Sequence, residues 1–255
     1  MNVGAMYVLI EFSSKVDCSF AMMNQNGIDM NEIGNLSNLP ELLRRRMSKL
    51  DMSKSLCEAH RELAPQYAYG RHRGPAPKFS HPAAVLICLI PMSSSEWTIP
   101  LTLRPTQMAD HGGQVSLPGG RSDSGETVWR TACREFGEEL GCTTEYMEPI
   151  CELTPLYVFA SRHLVTPVVA VSSLRPSFLP NPDEVAELIF LPLRELMSDD
   201  AVIVGTLQRG NVQFDAPGFR VGGHFVWGAT AMVLGQLRHI VRDICDEQID
   251  EPWFF

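Results

Sequence analysis

Apolar side chains recur along this chain at two spacings, and the spacings separate helices from strands. Over 126–140 the residues Trp129, Ala132, Cys133, Phe136 and Leu140 return every three or four positions. That predicts a helix with one buried stripe, and Gly141 supplies the left-handed backbone that stops it. The same spacing at Ala229, Val233, Leu234, Leu237, Ile240, Val241 and Ile244 predicts a longer helix over 228–246. A shorter one is predicted over 38–50, with Asn38 as its cap, Pro40 in its first turn and Leu39, Leu42, Leu43, Met47 and Leu50 on its apolar side. Its Arg44, Arg45 and Arg46 read first as a solvated face.

Unbroken apolar runs too short for helices mark strands. After His81 and Pro82, the stretch AAVLICLIP at 83–91 predicts a buried strand, Ser93–Ser95 a turn, and 97–104 a second strand paired to the first as a hairpin. Further strands are expected at 114–117, 150–159, 165–171 and 188–193, with Ala160, Ser161, Arg162 and His163 as a loop between two of them. Asn181-Pro182-Asp183-Glu184 marks a turn, 192–196 a short helix or loop, and 211–214 and 219–221 are strand-like pieces of a variable excursion. Four or more strands with a central and a terminal helix imply a mixed α/β sandwich. The expected organisation is an N-terminal extension at 1–78 carrying the 39–50 helix, a catalytic domain at 79–246 and a tail at 247–255. Residues 1–35 show no sustained period and read as a poorly ordered extension. The Gly/Pro-rich basic segment 70–78 is the boundary, with Arg71, His72 and Arg73 as loop residues.

Composition narrows the class of protein. A chain of 255 residues that is 45% hydrophobic can bury one substantial core. Its formal charge of -9 argues against a nucleic-acid partner held through phosphates. Seven cysteines, odd in number and without CxxC spacing, fit a reduced, cytoplasmic protein in which thiols serve as small apolar filler. No apolar run approaches the roughly 20 residues of a membrane helix, and the apolar start of the chain lacks the basic residues of a signal peptide.

The chemistry is concentrated on the 126–140 helix. At roughly 100° per residue, Glu135, Glu138 and Glu139 share an arc away from the apolar stripe, where like charges at such spacing repel. No lysine is interleaved, and Arg134 is the cation beside them. A hard divalent cation with oxygen ligands relieves that repulsion, which points to Mg²⁺ or Mn²⁺. Just before the helix, Pro118-Gly119-Gly120 lets the backbone come close to a metal or phosphate and forms one wall of a site.

The spacing from Gly120 onward is Gly120, five residues, Glu126, seven residues, Arg134-Glu135-Phe136, one residue, Glu138-Glu139, one residue, Gly141 and an apolar position held by Cys142. This is the Nudix box, and the chain resembles the Nudix hydrolases. Within them it is similar to the coenzyme A diphosphatase branch. Arg104, His111, Gly113, Val115 and Pro118 to Gly120 match that branch's upstream pattern, while Pro105, Met108 and Leu117 depart from it. Thr166-Pro167, Asn181-Pro182-Asp183-Glu184-Val185, Phe190-Leu191-Pro192-Leu193 and Phe225 to Ala231 look like it too.

The resemblance implies an α/β/α sandwich around a mixed β-sheet. It also implies hydrolysis of a small-molecule nucleoside diphosphate, here coenzyme A or a derivative, to 3′,5′-ADP and 4′-phosphopantetheine or its acyl form. By the same resemblance Glu135, Glu139 and Glu138 hold the metal, joined by a backbone carbonyl of Gly119 or Gly120. Arg134 orients Glu135, and Glu126 and Gly141 are structural. A water attacks one phosphorus in line, with Glu135 or Glu138 as proton acceptor. Arg104, His111 and Arg162, with neighbouring His163, are candidate substrate contacts, each weighed against an ordinary surface or turn role. Glu184 and Glu187 are weighed as a further ligand against plain surface carboxylates. The alternatives are a Nudix pyrophosphatase acting on NADH, ADP-ribose or a nucleotide, and a non-catalytic binding module on the same fold.

Overall fold

In the computed structural model, which describes residues 38–49, 60–65, 76–93, 96–108, 111–209 and 211–250, the apolar run at 83–91 becomes β1 (His81–Pro91). Its continuous hydrophobicity has a simple cause: both faces are covered. Ala84, Leu86, Cys88 and Ile90 join one buried cluster with Ala132, Phe136 and Leu140 of α2 (Val128–Leu140). Ile87 and Leu89 point the other way, into a second cluster shared with Leu39 and Leu43 of α1 (Leu39–Lys49) and with Leu234, Leu237, Ile240 and Val241 of α4 (Gly228–Asp250). Helices therefore lie on both faces of a sheet, an α/β/α sandwich.

The sheet is mixed. β1 runs parallel to β7 (His163–Ser172) from His81↔His163 to Leu89↔Val171, and antiparallel to the short β4 (Gly119–Arg121) at Ala83 to Val85. β2 (Trp97–Leu103) pairs antiparallel with β8 (Glu187–Pro192) along its length and with β3 (Val115–Ser116) at its end. β5 (Met147–Glu152) and β6 (Leu156–Val158) both lie antiparallel on β7. After α3 (Leu193–Met197), β9 (Val202–Arg209), β10 (Val212–Val221) and β11 (His224–Trp227) form a separate three-stranded antiparallel sheet in the order β11-β10-β9.

Several expectations are corrected. The hairpin of β1 and β2 is real only at its closed end, Ile90↔Thr98 and Pro91↔Trp97, while β4 pairs with β1 at Ala83 to Val85. The strand expected over 150–159 is two strands. Between them the N–H of Thr154 donates to the Gln236 side chain at 3.0 Å and its C=O accepts from the same amide at 3.1 Å, while Pro155 has no N–H to give a ladder. The two pieces near 211–221 are one strand, and β9 beside it was not expected. Pro118-Gly119-Gly120 is less a turn than the entry to β4. The box helix starts at Val128, so Glu126 precedes it, and the last helix runs on to Asp250. No described helix is long and apolar enough to cross a membrane. The expectations for residues 1–35, for Arg71, His72 and Arg73, for Ser94 and Ser95, for Cys18 and Cys57, and for 251–255 lie outside the described residues.

Candidate active site

α2 is fixed at both ends and along one side. Thr127 caps its start, its hydroxyl accepting the Arg130 N–H at 3.3 Å, and Gly141 ends it at φ 59° with its N–H on the Gly137 carbonyl. A side chain at Gly141 would come within 2.0 Å of the Leu179 carbonyl oxygen. With Ala132, Phe136 and Leu140 buried under β1 and β7, rotation of the helix is locked and the acids are held beside β4.

Arg134 gathers three carboxylates. Its Nε–H donates to Glu126 at 2.9 Å, one terminal nitrogen to Glu135 at 2.7 Å and Glu138 at 3.0 Å, and the other to Glu126 at 3.0 Å and the Arg121 carbonyl at 3.0 Å. The last contact ties α2 to β4. Glu126 also accepts the Asp123 N–H at 3.0 Å and the Thr131 hydroxyl at 2.9 Å. Led by the Arg134 hydrogen bonds, these donors hold its carboxyl down at about 2. The same pairing raises the Arg134 guanidinium above its usual value, led by Glu126.

Glu135 and Glu139 face β4. The Glu135 carboxylate lies where a side chain on Gly120 would be, 2.5 Å from the ideal Cβ position, so a side chain there would push that carboxylate out of its present place. Burial, opposed by Arg134, raises its carboxyl above the usual range. Glu139 is 4% exposed. One of its oxygens meets the Gly119 N–H at 3.4 Å, and the other, Oε2, is buried without a hydrogen-bond partner. Burial pushes this carboxyl up to about 8, against the pull of the Gly119 N–H and the Arg104 charge and with the push of Glu135 and Glu184.

An orphaned buried carboxylate oxygen beside a second sheltered carboxylate and a glycine backbone is a donor set that fits a hard cation. Among the described residues no three acidic, histidine or cysteine side chains already form a cage. Arg134 engages Glu135 and Glu138. Glu138 is 57% exposed on its side chain, so it can turn from Arg134 toward a cation at little cost.

The candidate substrate contacts fall in two places. Arg104 follows β2, its backbone bonded to Gln114 and Gly113, and its side-chain Nε is buried without a partner while its charge reaches Glu139. His111 occupies a left-handed turn at φ 59° with its ring nitrogen 3.0 Å from the Gln114 amide oxygen. Arg162 is an exposed turn residue at φ 58°, next to His163, whose ring lies 5.7 Å from that of His81 at the start of β1. Glu187 pairs with His224 at 3.1 Å, whereas Glu184 bears on both Glu135 and Glu139. Sequence reasoning missed Thr131, buried on α2 against Glu126; a lone threonine inside a helical stripe gave no sign of it.

Residues 80–206 match the NUDIX domain family model. Over 162 residues the chain is 34% identical to an uncharacterized Nudix hydrolase, NudL, of Pectobacterium atrosepticum, covering 63% of this chain and 83% of that one. It is 33% identical over 170 residues to Nudix hydrolase 22, chloroplastic, of Arabidopsis thaliana, covering 60% of this chain and 52% of the relative. Among solved structures, a Nudix hydrolase from M. smegmatis, RenU, aligns with 76% of this chain and 97% of its own at 18% identity and a TM-score of 0.43. With the box acids Glu135, Glu138 and Glu139 on one helix and NudL matched over 83% of its length at 34% identity, the chain belongs to the Nudix hydrolase family.

Proposed function

We propose that this Nudix hydrolase cleaves the diphosphate of coenzyme A or a coenzyme A derivative, giving 3′,5′-ADP and 4′-phosphopantetheine or its acyl form. The observation that carries the hydrolytic reading is the buried, unpartnered Oε2 of Glu139, whose other oxygen meets the Gly119 N–H. The choice of coenzyme A rests on the run from Arg104 to Gly120, with Arg104 close enough to Glu139 for its charge to be felt there.

Nudix hydrolases generally use divalent metal ions. Here Glu135, Glu139 and Glu138, with a carbonyl of Gly119 or Gly120, would hold Mg²⁺ or Mn²⁺. Such a cation, when bound, neutralises diphosphate charge and makes a water acidic enough to ionise near neutral pH. The chain's own residues do the rest. Arg134 orients Glu135 and, through Arg121, keeps α2 in register with β4. Glu126 keeps Arg134 aimed through two hydrogen bonds. Glu135 or Glu138 would accept the proton of the attacking water, and Arg104, His111 and Arg162 would meet the phosphates. The free thiols of Cys88, Cys133, Cys142, Cys151 and Cys245 support a reducing, cytoplasmic setting.

The test is a screen of coenzyme A, NADH, ADP-ribose and nucleoside triphosphates with Mg²⁺ or Mn²⁺ and identification of products. Coenzyme A is expected to have the highest kcat/KM and to yield 3′,5′-ADP. Faster turnover of NADH, ADP-ribose or a triphosphate would move the substrate assignment, and no hydrolysis of any diphosphate would leave a binding module.

A further inference from the structure

Arg238 and Arg242, one turn apart on α4, line a cavity of about 230 Å³ together with His239, Glu62, Leu63 and Val202. Leu63 and Val202 belong with the cluster of α1 and α4, so the cavity lies on the side of the sheet away from α2 and its acids. A sheltered guanidinium needs partners, and each of these has some. The Arg238 Nε–H donates to the Leu196 carbonyl and its Nη2 to the Ser198 carbonyl, both at 3.0 Å. Arg242 donates through Nη2 to the Met197 carbonyl at 3.1 Å and to the Asp199 carboxylate. These carbonyls close the C-terminal end of α3, where cationic side chains suit the last turn.

That capping role leaves part of each guanidinium unused. Among the described residues, Nη1 of Arg238 and Nη1 of Arg242 have no hydrogen-bond partner. Arg238 is only 9% exposed. Burial first, and the Arg242 charge second, draw its guanidinium below the usual value, against the pull of Glu62 and Asp199. Glu62 is exposed at the same cavity and forms no ion pair with either arginine among the described residues. Two like charges a turn apart beside a cavity favour an anion shared between them. The volume falls below the roughly 300–1,000 Å³ of drug-sized ligand sites and is ample for a phosphate group, since a water takes about 30 Å³. We propose that this cavity is a second anion site, in which Arg238 and Arg242 take a phosphate group, free or at the end of a small metabolite. The inference is independent of the substrate assignment above.

The test is calorimetric titration of inorganic phosphate into the full chain in EDTA, with circular dichroism confirming the fold of each variant. Arg242→Gln is expected to weaken phosphate about tenfold. Glu62→Gln, which removes the competing acid at an exposed position, is expected to tighten it about threefold, a gain that a merely structural role would not produce. Arg104→Gln, at the candidate active site, is expected to bind phosphate like the wild type. Glycerol phosphate as a second probe separates the two sources: equal or tighter binding supports a phosphate carried on a small metabolite, and weaker binding supports the free ion. Absence of binding to the wild type at millimolar phosphate would overturn the proposal. So would wild-type affinity in Glu62→Gln or in a folded Arg242→Gln, or a loss of binding in Arg104→Gln. Should Arg242→Gln not fold, Glu62→Gln decides alone.

Discussion

Glu126 and Glu139 are two carboxylates of one motif pushed in opposite directions. Glu126 is held at about 2 by donors from Arg134, Asp123 and Thr131, below its ordinary 4.5. Its contribution to stability is present above the ordinary value and is lost as pH falls through about 2. Glu126→Gln should therefore be less stable than the wild type at neutral pH, and chemical denaturation should show the gap closing in acid. Glu139 is raised from 4.5 to about 8 by burial, so the sign reverses. The folded state gains from the protonated acid below 4.5, and that gain disappears as pH rises through about 8. In EDTA, Glu139→Gln should flatten the decline in the denaturation midpoint between pH 5 and 9; an unchanged decline would mean Glu139 is not buried as described. Both residues were legible as box acids. Their contrasting environments were not, because those depend on Arg134, Gly119 and burial under β4, which spacing along one helix does not give.

At the scale of elements, α2 works because its apolar stripe is anchored and its ends are stopped. Phe136 is fully buried between β1 and β7, so Phe136→Ala is expected to cost about 3–5 kcal/mol in urea unfolding. Thr127→Ala, which removes only the cap, is expected to cost about 1 kcal/mol. The stripe and its glycine stop were readable from periodicity, as were the long helix and β1. The break between β5 and β6 was not, since the partner of Thr154 is Gln236, 82 residues away. β9 also escaped notice, because Val202–Arg209 alternates weakly and takes its strand character from pairing with β10. The strand nature of Gly119–Arg121 was hidden by glycines that sequence reasoning assigns to turns, yet their smallness lets β4 lie against the Glu135 carboxylate.

For the whole molecule, α1, expected as part of an N-terminal extension, contributes to the main core. Leu39 and Leu43 of α1 are fully buried with Leu237, Ile240 and Val241 of α4, and Arg46 pairs with Asp243 at 2.9 Å. Leu43→Ala should cost about 2–5 kcal/mol and lower the midpoint of one cooperative transition. A melt in which the box helix is unaffected would instead mark α1 as a separate unit. The two-faced burial of β1 carries this coupling, since α2 and its acids pack on one side while α1 and α4 pack on the other. The most direct test of the account is steady-state turnover of coenzyme A with Mn²⁺ by Glu139→Gln, with circular dichroism confirming its fold. The account predicts a loss of about 10²-fold or more in kcat with the fold retained, in line with loss of electrostatic stabilisation at a reacting centre. Near-normal turnover by a folded variant would contradict it.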